Sequence, residues 1–328
     1  MWRDDATAGV NGHAAQALGG DSTPRPPEPR DSRPPVRAAE QAASPASAAG
    51  GAVVVTGCGQ GIGLAIFERL VAEGYSLVGI ELEPELAAGV RQRFRQGHEV
   101  LVGDVAETEV FERAAAAAAS LPGGLAGWVN SAGITRQTNL HEVDPGLVER
   151  VLRVNLLGCY WGCAEAVQQF LRQRSGGCIV NISSVHARAA YVNHSAYAIS
   201  KAGIEALTRY VAVEYARFGI RANAVAPGGV RTPANLLVNS EESLAEMGRA
   251  HPMGRIGTAD EIAGVVAFLF SADAGFVTGH TLVADGGLTA RCWSFDPDPM
   301  LLAAYGLDGD DADAASTVGS SAVERSRE

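Results

Sequence analysis

The sequence predicts one α/β domain over residues 51–290, in which helices cover both faces of a parallel sheet. Two observations predict it. Short apolar runs rich in Val, Ile and Ala alternate with longer amphipathic stretches, as strands and helices do in a doubly wound sheet. The first apolar run ends in a glycine-rich turn that opens an amphipathic stretch, which is how a Rossmann-like fold begins.

Each element follows from the apolar pattern and from the turn residues that bound it. The predicted strands lie near residues 52–56, 75–81, 98–104, 125–130, 177–183, 220–226 and 280–285. The predicted helices lie near residues 61–74, 84–96, 107–119, 144–173, 195–217 and 260–270. Because no internal repeat is visible, we expect a single catalytic domain rather than an array.

The two ends of the chain have a different composition. Residues 1–50 hold seven of the 15 prolines and no apolar run, so they are predicted to be disordered. They also lack the apolar core of a secretory signal. Residues 291–328 are predicted to be an acidic, partly disordered tail. Within this tail the stretch from Trp293 to Tyr305 is apolar, and we expect it to dock on the body of the protein or on a neighbouring subunit.

Charge and cysteine content exclude several classes of protein. The net charge is −11 without a basic stripe, which argues against nucleic-acid binding. No uncharged apolar stretch reaches the roughly 18 residues of a membrane span. The five cysteines are odd in number and irregularly spaced, so they predict neither a disulfide framework nor a zinc site. We therefore expect a reduced, cytoplasmic protein without a metal.

The first predicted strand runs into the sequence TGCGQGIG, residues 56–63. Gly57, Gly61 and Gly63 would let the backbone turn tightly and approach a pyrophosphate, which would lie at the N-terminus of the next helix. The spacing differs from the commoner GxGxxG. Its position between a strand and a helix nevertheless favours a dinucleotide site.

Glu81 ends the second predicted strand and bears on the choice of cofactor. A carboxylate there would accept hydrogen bonds from the adenosine ribose and repel a 2′-phosphate. Gln60 and Leu82 are uncharged, so they offer such a phosphate no partner. The sequence therefore predicts NAD rather than NADP.

The stretch around Tyr197 is expected to carry the chemistry. Lys201 is the only lysine among 26 basic residues, and it follows Tyr197 by four positions in a predicted helix. Residues four apart share a helix face, so the two side chains should meet. A nearby ammonium favours the phenolate and would lower the pKa of the tyrosine, which would make it a usable acid or base. Ser195 is the expected N-cap of this helix.

Several motifs in a fixed order resemble those of the short-chain dehydrogenase/reductase family. They are TGCGQGIG, NSAG, VNLLG, IVNISS, YAISK, APGGVRTP and TGHTLVADGG. In NSAG, Ser131 replaces the second asparagine of the family's NNAG. The resemblance covers residues 51–290 and none of the two ends.

The resemblance implies an oxidoreductase that transfers a hydride between NAD(H) and a secondary alcohol or ketone. It implies that Tyr197 exchanges a proton with the substrate oxygen and that Lys201 lowers the tyrosine pKa and binds the nicotinamide ribose. Ser184 would position the substrate oxygen, and Asn155 would hold a water that relays protons. The candidate cofactor-binding residues are Gly57, Gln60, Gly61, Ile62, Gly63, Glu81, Leu82, Asp104, Val105, Asn130, Ala132, Gly133, Tyr197, Lys201, Pro227, Gly228, Val230 and Thr232.

Other functions remain open at this point. A non-catalytic dinucleotide sensor on the same fold would keep the glycine loop but could lose the four catalytic residues. An enoyl reductase would need a wider Tyr–Lys spacing, and a sugar epimerase would need a different glycine spacing. His186 or His194 could contact the substrate, and residues 233–252 lie where the family keeps a mobile lid.

The family's pairing of long helices also implies a homo-oligomer, a tetramer or a dimer. We expect surplus apolar surface on these helices at Trp161, Phe170, Leu207, Val211 and Tyr215. A helix that is apolar beyond one stripe is either deeply buried or covered by a partner.

Overall fold

A computed structural model describes residues 50–94, 96–292 and 300. The predicted disordered N-terminal segment, apart from its last residue, lies outside the described residues. So does the apolar tail stretch from Trp293 to Tyr305, apart from Met300.

Strands and helices alternate along the described chain. The strands are β1 Ala52–Thr56, β2 Ser76–Glu81, β3 His98–Val102, β4 Leu125–Asn130, β5 Gly177–Ile182, β6 Ile220–Pro227, β7 Val230–Arg231, β8 Gly257–Thr258 and β9 Thr281–Ala284. The helices are α1 Gly61–Ala72, α2 Pro84–Arg93, α3 Glu109–Ser120, α4 Pro145–Leu152, α5 Gly158–Gln173, α6 Ser195–Tyr215, α7 Pro233–Val238, α8 Glu241–Arg249 and α9 Ala259–Phe270.

Seven strands form one parallel sheet in the order β3-β2-β1-β4-β5-β6-β9. The strand order reverses between β1 and β4, and the carboxyl ends of all seven strands lie at the same edge. In doubly wound sheets, ligands bind at this switch point. The predicted Rossmann-like fold with helices on both faces is therefore confirmed, and it places the glycine loop after β1 at the binding edge.

Two apolar layers cover the sheet. One contains Phe111 and Trp128, whose ring centroids lie 6.3 Å apart, between the sheet and α3, α5 and α6. The other contains Phe67 and Phe270 and lies under α1 and α9. Because both faces are covered, β1 and β5 are buried along their whole length, and this explains their nearly continuous apolar sequences.

The predicted helix 144–173 is interrupted. A π-helical turn, Arg153–Leu157, separates α4 from α5, and the Gly158 N–H donates to the Arg153 carbonyl five residues back. Such turns occur often at functional sites. This one contains Asn155, whose buried side chain is fixed by a loop described below. Hydrophobic periodicity could not reveal the interruption, because α4 and α5 bury the same continuous stripe.

The predicted surplus apolar surface was largely wrong. Trp161, Phe170, Leu207, Val211 and Tyr215 all lie in the core layer next to α5 and α6 or pack against it. Phe170 and Val211 are buried, whereas Trp161, Leu207 and Tyr215 are partly buried. The exposed apolar side chains of these two helices include Tyr160, Tyr210 and Val213.

Candidate active site

The glycine loop after β1 leaves little room for side chains. A Cβ on Gly57, whose φ is 66°, would lie 2.9 Å from the Cα of Ala132. A Cβ on Gly63 would collide with the carbonyl of Gly57. The Gln60 side chain, at the N-cap position of α1, accepts no hydrogen bond from the first N–H groups of the helix. The loop thus has the bare backbone and the helix N-terminus that a pyrophosphate needs.

Glu81 closes one side of this loop. One carboxylate oxygen accepts the Gly59 N–H at 2.7 Å, and the other accepts the Leu82 and Glu83 N–H groups at 2.8 and 3.2 Å. The residue is only 7% exposed, whereas Leu82 is 48% exposed. A fixed, nearly buried negative charge therefore faces the loop. A carboxylate in this position can accept hydrogen bonds from hydroxyl groups of a bound ligand.

Asp104 and Val105 follow β3 at the same edge. The Asp104 carboxylate accepts the Ala106 N–H at 2.9 Å and forms an ion pair with Arg150 at 2.8 Å. Val105 is buried. Both residues thus lie at the carboxyl edge of the sheet, where the Asp104 carboxylate is paired with the Arg150 guanidinium.

The end of β4 is tied to the end of β1. Thr56 Oγ1 accepts the N–H groups of Ser131 and Ala132, each at 3.0 Å. The Asn130 side chain turns away from the edge into the core, where it accepts from Trp128 Nε1 at 2.9 Å and donates to Asn181 at 2.8 Å. Only the Asn130 backbone could meet a cofactor. Thr56 is not among the residues predicted from the sequence, although its place before the first glycine of the loop was an available signal.

Gly133, Asn155 and Lys201 come together beside this edge. A Cβ on Gly133 would lie 3.4 Å from Asn155 Oδ1 and 3.6 Å from Lys201 Nζ. Asn155 Oδ1 accepts the Ile134 N–H at 2.8 Å, and Nδ2 donates to the Ile134 carbonyl at 2.9 Å. The Asn155 side chain therefore holds the segment after β4 in place.

Ser184, Tyr197 and Lys201 meet at the carboxyl end of β5. Ser184 is buried, and its hydroxyl lies close enough to the Tyr197 hydroxyl to lower the pKa of the tyrosine. Lys201 Nζ lies 5.5 Å from the centroid of the Tyr197 ring and donates to the Ile182 carbonyl at 2.8 Å. The predicted meeting of Tyr197 and Lys201 on one helix face is thus observed.

The prediction that Lys201 lowers the pKa of Tyr197 was wrong. Burial raises the pKa of Tyr197, and the hydrogen bond with Ser184 offsets part of that increase. Burial also lowers the pKa of Lys201 to about 8. Desolvation penalises both charged forms, and the ammonium is directed to a backbone carbonyl rather than to the phenol oxygen.

Three rings lie next to Tyr197. His186 stacks on Tyr191 with ring centroids 5.1 Å apart, and it meets Tyr197 edge-on at 6.1 Å. Tyr191 also contacts His194 at 4.9 Å. Burial lowers the pKa of His186, so its ring is held neutral, and its Nδ1 lies 3.2 Å from the Ala189 carbonyl. The three rings form one amphipathic wall, which contacts the Tyr197 ring through His186.

The segment after β6 reaches across to the glycine loop. A Cβ on Gly61 would lie 3.4 Å from Thr232 Cβ, and Thr232 Oγ1 caps α7. Val230 is buried, while Pro227 ends β6 and Gly228 bonds to the Ala284 carbonyl. His251 holds this segment, since its Nε2 accepts the Gly229 N–H at 3.0 Å. His251 is not among the residues predicted from the sequence.

Neither a metal site nor a membrane span is found in the described part of the chain. No three His, Cys, Asp or Glu side chains among residues 50–94 and 96–292 are placed to hold a metal ion. No helix in those ranges is both long enough and apolar enough to cross a bilayer.

Comparison with known proteins covers the same region. A family model described as "Enoyl-(Acyl carrier protein) reductase" matches residues 57–289. The chain is 38% identical over 247 residues to 3beta-hydroxysteroid dehydrogenase 1 of Eggerthella lenta, a match that covers 73% of this chain and 94% of the relative. It is 35% identical to 2-(S)-hydroxypropyl-CoM dehydrogenase 3 of Xanthobacter autotrophicus, covering 73% of this chain and 96% of that protein.

A solved structure gives the same picture. The ligand-free aldohexose dehydrogenase of Thermoplasma acidophilum superposes with a TM-score of 0.68 at 34% identity. The match covers 76% of this chain and 98% of that one. The names of the three proteins give their substrates as a 3beta-hydroxysteroid, 2-(S)-hydroxypropyl-CoM and an aldohexose.

Proposed function

This chain belongs to the short-chain dehydrogenase/reductase family, and from that premise we propose that it is an NAD-dependent dehydrogenase that interconverts a secondary alcohol and its ketone. The relatives described above are named as dehydrogenases of hydroxyl-bearing compounds, and dehydrogenases of this family use a nicotinamide dinucleotide. The observation that carries the proposal is the grouping of the buried Ser184 and Lys201 around Tyr197, next to Gly133 at the binding edge.

Tyr197 is assigned the proton transfer. In alcohol oxidation its phenolate takes the hydroxyl proton, and in ketone reduction its phenol returns it. Ser184 lies close to this hydroxyl and would hold the substrate oxygen next to it. Lys201 is assigned to bind the nicotinamide ribose and to favour the phenolate once its ammonium turns from the Ile182 carbonyl. The nicotinamide, when bound, supplies the acceptor or donor of the hydride.

The cofactor residues are proposed from their place in the fold. The backbone at Gly57, Gln60, Gly61, Ile62 and Gly63 would hold the pyrophosphate, and Glu81 would hold the adenosine ribose.

The wall of His186, Tyr191 and His194 supports a substrate alcohol that carries an apolar or ring-shaped body. Val192, which follows Tyr191 in the chain, adds exposed apolar surface there, at 76% exposure.

Two other functions compete with this one. A dinucleotide sensor would not need a hydroxyl pair beside a lysine, and the intact group of Asn155, Ser184, Tyr197 and Lys201 disfavours it. An enoyl reductase is suggested by the description of the matching family model. The Tyr–Lys interval of four positions and the alcohol-oxidising relatives favour the dehydrogenase.

We also propose a cytoplasmic homo-oligomer whose catalytic domain spans residues 51–290. The exposed Tyr160, Tyr210 and Val213 on α5 and α6 support a partner at this surface. A tetramer would need a second contact, for which Phe268 on α9 and Val283 on β9 are exposed. The acidic charge supports a small-molecule substrate rather than nucleic acid.

Activity with the purified full-length protein tests the proposal. We would follow NADH formation with secondary alcohols from three groups: 3β-hydroxysteroids, hydroxyalkyl thioethers and aldohexoses. NADH consumption with an enoyl thioester tests the competing reaction in parallel. NAD-linked oxidation of at least one alcohol, without enoyl reduction, is expected. Enoyl reduction alone, or tight NADH binding without any turnover, would favour one of the alternatives.

A further inference from the structure

The helix that carries Tyr197 begins without a cap from its own sequence. The predicted N-cap was wrong: Ser195 is the first residue of α6, and His194, at the N-cap position, makes no side-chain hydrogen bond to the helix. The first N–H groups of a helix have no partner within it and need acceptors from elsewhere. Tyr197 is the third residue of α6, so it lies in the turn that this deficit would loosen.

Thr138 supplies the missing acceptors from another part of the chain. Its Oγ1 accepts the Ala196 N–H at 3.0 Å and the Ser195 hydroxyl at 3.2 Å. Its carbonyl accepts the same hydroxyl at 3.0 Å and the Ser195 N–H at 3.3 Å. The Thr138 N–H in turn donates to the Asn193 carbonyl at 2.7 Å. Thr138 is only 5% exposed, so solvent cannot readily replace these bonds.

The segment before Thr138 is fixed at its other end. Asn155 clamps both backbone groups of Ile134, as described above. Asn155 Nδ2 also donates to Ser200 Oγ at 3.2 Å, and Ser200 Oγ donates to the Tyr197 carbonyl at 2.6 Å. The hydrogen bonds thus form a closed ring from Asn155 through residues 134–138 to the start of α6, and back through Ser200.

We propose that Thr138 is a positioning residue for Tyr197, because it caps the first turn of the catalytic helix from the segment that follows β4. The proposal rests on the proposed role of Tyr197 as acid and base. That segment begins at Gly133, beside the edge where the cofactor would lie. The cap therefore ties the position of the tyrosine hydroxyl to the edge that orients the nicotinamide. Small displacements of a reacting group are costly, since about 1 Å can reduce a rate about 100-fold.

Three variants separate positioning from general stability. Thr138→Val keeps the shape of the side chain and removes its hydroxyl, whereas Thr138→Ser keeps the hydroxyl. Thr278→Val is the matched control, because Thr278 Oγ1 accepts the Ala222 N–H at 3.1 Å near the amino end of β6, at the edge of the sheet opposite Tyr197. For each variant we would measure kcat per NADH-binding site, the Kd of NADH and the melting temperature.

We expect Thr138→Val to lower kcat at least about tenfold while the Kd and stoichiometry of NADH stay unchanged, and Thr138→Ser to restore most of kcat. Thr278→Val should lower the melting temperature without lowering kcat. If Thr138→Val melts earlier but turns over normally, Thr138 is only structural and the proposal is overturned. If Thr138→Val does not fold, Ser195→Ala takes its place, since it removes only the two hydroxyl contacts with Thr138. A several-fold loss of kcat would then support the proposal, and a normal kcat would overturn it.

Tyr197→Phe measured alongside separates the two levels of inference. If it stays active, the proposed function fails, and positioning of Tyr197 fails with it. If it is inactive while Thr138→Val is normal, only the inference about Thr138 fails.

Discussion

Cofactor choice gives the sharpest quantitative prediction, because one carboxylate decides it. We expect the wild-type protein to prefer NAD over NADP, and Glu81→Ala combined with Leu82→Arg to weaken or reverse that preference. In the structure Glu81 is 7% exposed and holds the N–H groups of Gly59, Leu82 and Glu83. Its charge therefore cannot swing away from a 2′-phosphate at low cost.

The size of the effect follows from charge and hydrogen bonding. Two like charges about 5 Å apart repel by about 1 kcal/mol in water and about 3 kcal/mol at an effective dielectric constant of about 20. A lost hydrogen bond between a ribose hydroxyl and a carboxylate costs about 1.5–3 kcal/mol more. The sum of about 2.5–6 kcal/mol corresponds to at least about a 60-fold difference in kcat/KM, since about 1.4 kcal/mol is tenfold.

The double variant, Glu81→Ala with Leu82→Arg, should replace the repulsion of a 2′-phosphate by attraction and remove the hydrogen bond that favours NAD. Without the carboxylate, three backbone N–H groups lose their acceptor and become available to phosphate oxygens. An arginine at position 82, which is half-exposed, adds a charge with bidentate geometry. The assay is kcat/KM for both cofactors at saturating alcohol. Leu82→Arg alone is the control and should still prefer NAD. Comparable kcat/KM for NAD and NADP in the wild-type protein would refute the reasoning.

Three further predictions concern Lys201, Ser184 and assembly. Lys201→Arg keeps a charge but replaces a compact ammonium by a wider fork in a buried site, so kcat should fall at least about tenfold; near-normal turnover would show that any cation suffices. Ser184→Ala removes the hydrogen bond that lowers the pKa of Tyr197. Because oxidation needs the phenolate, the rise of kcat/KM with pH should then move to higher pH, and an unmoved profile would exclude this role. Light scattering coupled to size exclusion should give a tetramer or a dimer, and a monomer at micromolar concentration would contradict the proposed interface.

Much of the fold could be predicted because the apolar pattern is determined by burial. The strands of the seven-stranded sheet lie close to their predicted positions, since each is a short apolar run between turn residues. The π-helical turn at Asn155 could not be predicted, because it depends on the contact of one side chain with Ile134. The short elements α7, α8, β7 and β8 were also missed, since their mixed composition carries no clear period.

The candidate site was predictable where residue types are distinctive, as at Tyr197 and Lys201. It was not predictable where a role depends on tertiary contacts. Thr138 is an ordinary polar residue in the sequence, and only the fold brings it to the backbone at the start of α6. The direction of the Tyr197 pKa was predicted wrongly for the same reason, because a sequence shows the nearby charge but not the burial that outweighs it.

Tyr197→Phe tests the central claim most directly, since it removes only the phenol oxygen. Single-turnover oxidation of an active alcohol would be measured together with NADH affinity, which controls for an intact site. We expect Tyr197→Phe to oxidise the alcohol at least about 100-fold more slowly than wild type, because general acid–base catalysis is lost, and to bind NADH with an unchanged Kd. A variant that keeps more than about a tenth of the wild-type rate would contradict the assignment of proton transfer to Tyr197.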